Sequence, residues 1–308
     1  MHVSSVYRTF GFLVLVVAAV AACGDSNDDG SDHASSNAAT SHGTTASQGD
    51  TTPTSNGTAS NATSNGASTG TTTDASNATS GGTTAAMPTT EALNLTTADG
   101  KNLAATFTHP GTNTPVPGIL LLHQFNADSS QWGDFDDTLV DAGFAVLALD
   151  LRGHGDSDDH DGMFTGLLSD PDQLPLDLEA GLEALAGAQG VDPARIATLG
   201  TSVGANLAVL AGVKGLGVRA MVSLSPRLSA IEALAGDAER MELGALFCVA
   251  GENDGGGAQA DTCETLTMEA SPGQLTILEG TVAHGRTIVD DFPEVREAIV
   301  LWLDMQLR

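Results

Sequence analysis

Along residues 91–308 two hydrophobic periods take turns, one of two residues and one close to 3.6. Glu91–Thr97 and Leu103–Thr108 read as strands flanking Asp99-Gly100, a dipeptide that favours a tight hairpin turn. Gly118–His123 and Phe144–Asp150 are unbroken apolar runs, the mark of strands covered on both faces. Shorter runs of the same kind occupy Arg195–Leu199, Arg219–Leu224, Ala245–Ala250 and Gln274–Leu278. Helical spacing fills the intervals. It is read over Trp132–Ala142, after Asp170-Pro171 with Leu174, Leu178, Leu182 and Leu185 recurring, and over Val203–Val213, Leu228–Met241 and Ala258–Met268. A last helix sets Val295, Ile299, Trp302 and Leu303 on one stripe. A hairpin followed by alternating strand and helix predicts an α/β domain, its sheet mostly parallel with helices on both faces. Between Ser225 and Ala245 one helix fits but a large cap domain does not, so an open site is expected.

Upstream of this domain the pattern is lost. Residues 24–90 contain no Leu, Ile, Val, Phe, Trp, Tyr, Lys or Arg. Ser, Thr, Gly, Asn and Ala dominate there, which leaves nothing to bury against chain entropy, so residues 23–90 are expected to be a disordered linker. Before it, Arg8 and the apolar run Phe10–Val20 form a secretory leader too short for a relaxed membrane span. Val20-Ala21-Ala22-Cys23 resembles a bacterial lipobox. That resemblance implies removal of a signal peptide at 1–22, a lipid on Cys23 and attachment to a membrane of the bacterial cell envelope. A flexible linker of this length has a root-mean-square reach of roughly 45 Å.

Charge narrows the partners. The chain carries a formal charge of −28; six of its acids lie in the linker and one base in the leader, leaving 33 acids and 10 bases downstream. Phosphate backbones would be repelled, which excludes a general nucleic-acid binder. Asp156, Asp158, Asp159, His160 and Asp161 crowd one segment, but their spacing does not match a calcium loop, and a solvated loop near the site rim is expected, with no metal. Besides Cys23 only Cys248 and Cys263 occur; an exported domain permits a disulfide between them, and a buried thiol in Leu246-Phe247-Cys248-Val249 is equally consistent.

Candidate chemistry centres on Gly200-Thr201-Ser202-Val203-Gly204, a G-x-S-x-G string set between an expected strand and an expected helix. There the chain must turn sharply and push Ser202 above the sheet, with small residues two before and two after it. Chain order then asks for an acid and a later histidine. Of eight histidines only His284 follows Ser202, just beyond strand Gln274–Leu278. The acid belongs on Gly251-Glu252-Asn253-Asp254-Gly255, with Asp254 as first choice and Glu252 in reserve. Two N–H groups are needed to hold an oxyanion. Val203, after the nucleophile, supplies one; the loop after Gly118–His123 supplies the other, through Phe125 or alternatively Gln124.

Together with Val191-Asp192-Pro193-Ala194-Arg195-Ile196, His123-Gln124-Phe125 and Asp150-Leu151-Arg152-Gly153-His154-Gly155-Asp156-Ser157, these motifs make 91–308 resemble the α/β-hydrolase superfamily, its dienelactone-hydrolase-like and small-esterase branches above all. The resemblance implies an eight-stranded sheet, a Ser202–Asp254–His284 triad, a small-molecule ester substrate and no cofactor. Two departures stand out. Dienelactone hydrolases proper use a Cys nucleophile where this chain has Ser202, and Gln124 stands where many members have Gly. The same residues would serve a serine peptidase, and an inactive hydrolase scaffold would make a binding or surface lipoprotein.

Overall fold

The computed structural model describes residues 87–237 and 242–308. The leader, Cys23 and the linker as far as residue 86 lie outside the described residues.

The hairpin comes first, as β1 (Thr89–Thr96) and β2 (Asn102–His109), in register from Thr89 opposite His109 to Thr96 opposite Asn102. Its first strand starts two residues ahead of the sequence boundary at 91. Gly100 takes φ 84° in the turn, and Asp99 beside it receives the buried guanidinium of Arg152, whose Nε donates to Asp177 at 2.8 Å. Next come β3 (Val116–Leu122), α1 (Asp134–Asp141), β4 (Ala145–Leu149), α2 (Phe164–Leu167), α3 (Leu174–Gly187) and β5 (Val191–Thr201). The chain finishes with α4 (Val203–Val213), β6 (Ala220–Leu224), α5 (Leu228–Ala235), β7 (Ala245–Gly251), α6 (Ala258–Glu269), β8 (Gly273–Leu278), α7 (Arg286–Asp291) and α8 (Pro293–Leu307).

One eight-stranded sheet results, in the order β1-β2-β4-β3-β5-β6-β7-β8. β1 and β2 run antiparallel to their neighbours, and from β4 to β8 every pairing is parallel. The period of two divides each buried run between two cores. Leu120 and Leu122 of β3 join the helices α3 to α6 on one face, whereas Ile119 and Leu121 join α1, α7 and α8 on the other. α4 is buried nearly all round, which accounts for its lack of any polar stripe.

Local differences from the sequence reading have local causes. Trp132 closes a short 3-10 turn over Ser129–Trp132, and Gly133 at φ 55° separates that turn from α1, so the expected helix from Trp132 is shorter. α2 and α7, of four and six residues, are too short to display a helical period. Among the described residues one helix, α5, lies between β6 and β7. From β3 the chain passes to β4 on one side and then to β5 on the other. The strand order thus reverses between β3 and β5, and in open α/β sheets ligands usually bind beyond the carboxyl ends of the strands at such a reversal.

Candidate active site

Ser202 alone connects β5 to α4, at φ 52° and ψ −109°. L-residues seldom adopt this conformation, and holding one there costs on the order of 1–3 kcal/mol. Backbone bonds on both sides hold it: Ser202 N–H donates to Leu224 O at 2.9 Å, and Ser202 O accepts from Asn206 N–H at 3.1 Å. The flanking glycines are sterically required. A Cβ at Gly200 would stand 2.0 Å from Gly204 O, and one at Gly204 2.0 Å from Leu122 O.

His284 lies in the loop between β8 and α7. Its own N–H donates to Thr287 Oγ1 at 2.9 Å, and Gly285 N–H donates to Ser225 Oγ at 2.9 Å. Thus fixed, the ring sets Nε2 2.8 Å from Ser202 Oγ and Nδ1 2.9 Å from each carboxylate oxygen of Asp254. An ionised carboxylate only accepts, so Nδ1 carries the proton and Nε2 turns its lone pair to the hydroxyl. Asp254 is 5% exposed and His284 41%, so the acid is sealed in while the imidazole opens to solvent.

Asp254 begins a 3-10 turn that continues through Gly255, Gly256 and Gly257, all at positive φ. Glu252, the reserve candidate, points elsewhere: its Oε2 accepts from Gly280 N–H at 2.8 Å and fastens the loop after β8. The cysteines are joined. A Cys248–Cys263 disulfide spans Cα atoms 5.3 Å apart and links β7 to α6, so Asp254 sits within a segment closed at both ends by a buried cross-link.

The loop after β3 faces the turn that carries Ser202. Within it, Gln124 N–H already donates to Gln131 Oε1 at 3.2 Å. Phe125 follows, 38% exposed, its ring edge-on to His154 at 5.9 Å. His123 is buried beneath; it lies 2.8 Å from Gln124 O through Nδ1 and accepts from Leu151 N–H through Nε2 at 2.9 Å. Burial pushes its imidazole down to about 4, in keeping with a neutral ring bonded through both nitrogens. Val203 opens α4.

The acidic segment after β4 works on the hairpin. Asp158 Oδ2 accepts from Asn102 N–H at 2.7 Å, and Asp161 pairs with Lys101 at 3.0 Å. Among the described residues no group of His, Cys, Asp and Glu side chains is arranged to hold a metal ion. Sequence reasoning missed Gln131, Thr201 and Ser225. Ser225 had a legible signal: it stands one residue past β6 as Ser202 stands one past β5, and it too has a positive φ, 64°.

Comparison with known proteins agrees with this architecture. Residues 114–246 match the family described as serine aminopeptidase, S33, a span that includes Ser202 and stops short of Asp254 and His284. No curated protein matches the chain. Similar solved structures include an esterase of Pyrococcus furiosus, 18% identical over 71% of this chain and 94% of that one, with a TM-score of 0.57. Another is a dienelactone hydrolase-like promiscuous phosphotriesterase from metagenomic libraries, 19% identical over 72% and 100% of the two chains, TM-score 0.58. A third is a dienelactone hydrolase from Anabaena variabilis, 18% identical over 72% and 100%, TM-score 0.55. At such identities the likeness is one of fold.

Proposed function

We propose that this chain, a member of the α/β-hydrolase superfamily by its fold, is a serine hydrolase that cleaves carboxylic esters through Ser202, His284 and Asp254. The observation that carries this reading is the continuous hydrogen-bonded line from Asp254 through His284 to Ser202 Oγ. Ser202 Oγ attacks the acyl carbon while His284 Nε2 takes its proton; Asp254 holds the imidazole in the required tautomer and stabilises the imidazolium. The carbonyl oxygen becomes an oxyanion, held by the N–H groups of Val203 and Phe125. Gln124 N–H, already bonded to Gln131, is left out of that role. Losing such a donor typically costs about 3–4 kcal/mol of barrier. His284 then returns its proton to the leaving alcohol, and water clears the acyl-enzyme by the same steps in reverse.

The open imidazole and the one helix, α5, among the described residues between β6 and β7 favour small or soluble esters. In the cell, a lipid on Cys23 and the linker that follows it would hold this domain on a membrane of the bacterial envelope.

A fluorophosphonate probe tests the chemistry. Wild type should be labelled, Ser202→Ala should not, and kcat/KM on short acyl esters should fall about 10⁴-fold or more in the variant. Equal labelling of both proteins would overturn the assignment of the nucleophile. The match to serine aminopeptidases favours a second reading, cleavage of amino-terminal amides, and aminoacyl amides in the same substrate panel decide between the two. For the anchor, Cys23→Ser should release the protein from membranes; retention would remove the lipid from the scheme.

A further inference from the structure

α7 begins immediately after the loop that presents His284, and its first N–H groups have no carbonyl of their own helix to bond. Thr287 and Ile288 turn to His284 O and Gly285 O, whereas Arg286 and the preceding Gly285 are met from far along the chain. Arg286 N–H donates to Gln124 Oε1 at 2.9 Å, across 162 residues of sequence, and Gly285 N–H donates to Ser225 Oγ. The glycine at 285 makes the first contact possible, because a Cβ there would stand 2.4 Å from Gln124 Oε1. Gln124 is fastened in turn: its N–H donates to Gln131 Oε1 at 3.2 Å, and Gln131 Nε2 donates to Thr201 Oγ1 at 2.9 Å. Thr201 is the residue before Ser202.

We infer that Gln124 and Gln131 form a positioning clasp, which sets the oxyanion loop against both the nucleophile turn and the base loop. The three loops meet from β3, β5 and β8, strands that are not all neighbours in the sheet. The backbone ladder therefore cannot by itself fix the distance from the oxyanion donor to His284, whereas the two amides span it directly. Each amide has the chemistry the position needs. Gln124 offers an acceptor on its side chain and a donor on its backbone, and Gln131 offers an acceptor and a donor on one planar group. Neither residue touches the reacting atoms; both act through His284, Ser202 and the Phe125 N–H. Gln124 thereby gains a use at the position where the sequence departs from the more common glycine.

The inference rests on the serine-hydrolase reading, and the test separates the two. Active sites of the full-length chain are titrated with a fluorophosphonate, and turnover of a short acyl ester is expressed per titrated site. Gln124→Ala should lower kcat per site by about 10- to 100-fold with KM within about twofold, the scale of a displacement near 1 Å. Gln124→Glu keeps an oxygen acceptor for Arg286 N–H and should return kcat to within about threefold of wild type, on the same scale. Gln131→Ala, which cuts the link to Thr201 and releases Gln124 N–H, should reproduce the loss even where Gln124→Ala folds poorly. Wild-type kcat per site in either alanine variant, or no recovery in Gln124→Glu, overturns the clasp. A wild-type chain that neither labels nor turns over any ester or amide overturns the hydrolase reading itself, and the clasp with it.

Discussion

The turn that carries Ser202 and the turn that carries Asp254 both run through positive φ, yet they are held in opposite ways. Around Ser202 backbone presses on backbone: Gly200 lies under Gly204, and Gly204 lies against the carbonyl oxygens of Leu122 and His123. Around Asp254 there is room. A Cβ at Gly256 would meet nothing within 4 Å, one at Gly257 would find its nearest atom at 3.7 Å, and only Gly255 is crowded, by the side chain of Gln259. That second turn relies on glycine φ freedom and on the Cys248–Cys263 cross-link. On the serine-hydrolase reading proposed above, the difference follows from what each turn must do. A nucleophile has to present one oxygen to a carbonyl from a turn wedged between two strands and a helix, and close contact leaves it a single position. The acid has only to keep a carboxylate under an imidazole, which a looser turn can do once its ends are tied. Closure by contact should fail all at once, and closure by conformation or cross-link in increments.

Gly204→Ala is the largest expected effect. Its methyl group would overlap Leu122 O at 2.0 Å and His123 O at 2.7 Å, both main-chain atoms at the end of a central strand with no side chain free to swing aside. A loss beyond about 4 kcal/mol is expected, with little folded, probe-labelled protein recovered. Thermal unfolding within 1 kcal/mol of wild type would break the comparison at its stronger end, on the roughly 0.5–3 kcal/mol scale of ordinary substitutions.

The same contrast governs what could be read beforehand. The glycines of Gly200–Gly204 stand at fixed spacing because backbone contacts fix it, so a string of five letters announced the turn. The covered runs from Gly118 to Leu278 announced the parallel sheet, since two-sided burial leaves no polar face. His284 was legible by elimination, being the one histidine after Ser202. Gln131 left no trace of that kind, since its link to Thr201 spans 70 residues, and Ser225 offered only its place one residue past β6. The Cys248–Cys263 pair was open for a similar reason: 15 residues of separation permit a bond, and only the seating of α6 against β7 brings the Cα atoms to 5.3 Å.

Removing that bond tests the acid side. With both cysteines changed to alanine the closed 15-residue segment is released, and about 3 kcal/mol of stability should go with it. Because the positive-φ glycines remain, kcat per titrated site should fall less than about tenfold, a barrier change under about 1.4 kcal/mol. Chemical denaturation of the full chain measures the first quantity and ester turnover the second. A folded double variant with no turnover would show that the acid turn is as unforgiving as the nucleophile turn.

A smaller effect belongs to the nucleophile side and depends on pH. His123 carries one of the carbonyl oxygens packed on Gly204, and its ring takes a proton only near pH 4 in the fold. The unfolded chain takes that proton near 6.5, so between these values the unfolded form binds more protons. The contribution of a neutral His123 is whole above pH 6.5 and is lost as pH falls towards 4, up to about 3 kcal/mol. Asp177, pushed up to about 6 by burial, acts in the opposite sense over part of this window. The informative quantity is therefore the difference between wild type and His123→Gln, a side chain that does not titrate. That difference should shift in favour of the variant between pH 6.5 and 4, and parallel melting curves would remove His123 from the acid response.

Gly256→Ala should have the smallest effect, and it probes the looser turn most directly. Space is free around the position, so the substitution brings no overlap and only the cost of holding alanine at φ 73°, about 1–2 kcal/mol. Gly256→Asn should recover much of that, because asparagine enters the left-handed region more readily than other side chains. Both variants should keep kcat per titrated site within about threefold, since a strain of this size is met by local adjustment inside a tethered segment. If instead Gly256→Ala proves as damaging as Gly204→Ala, then open space around a glycine does not measure how far its turn can yield, and the acid turn is governed by something other than φ and the cross-link.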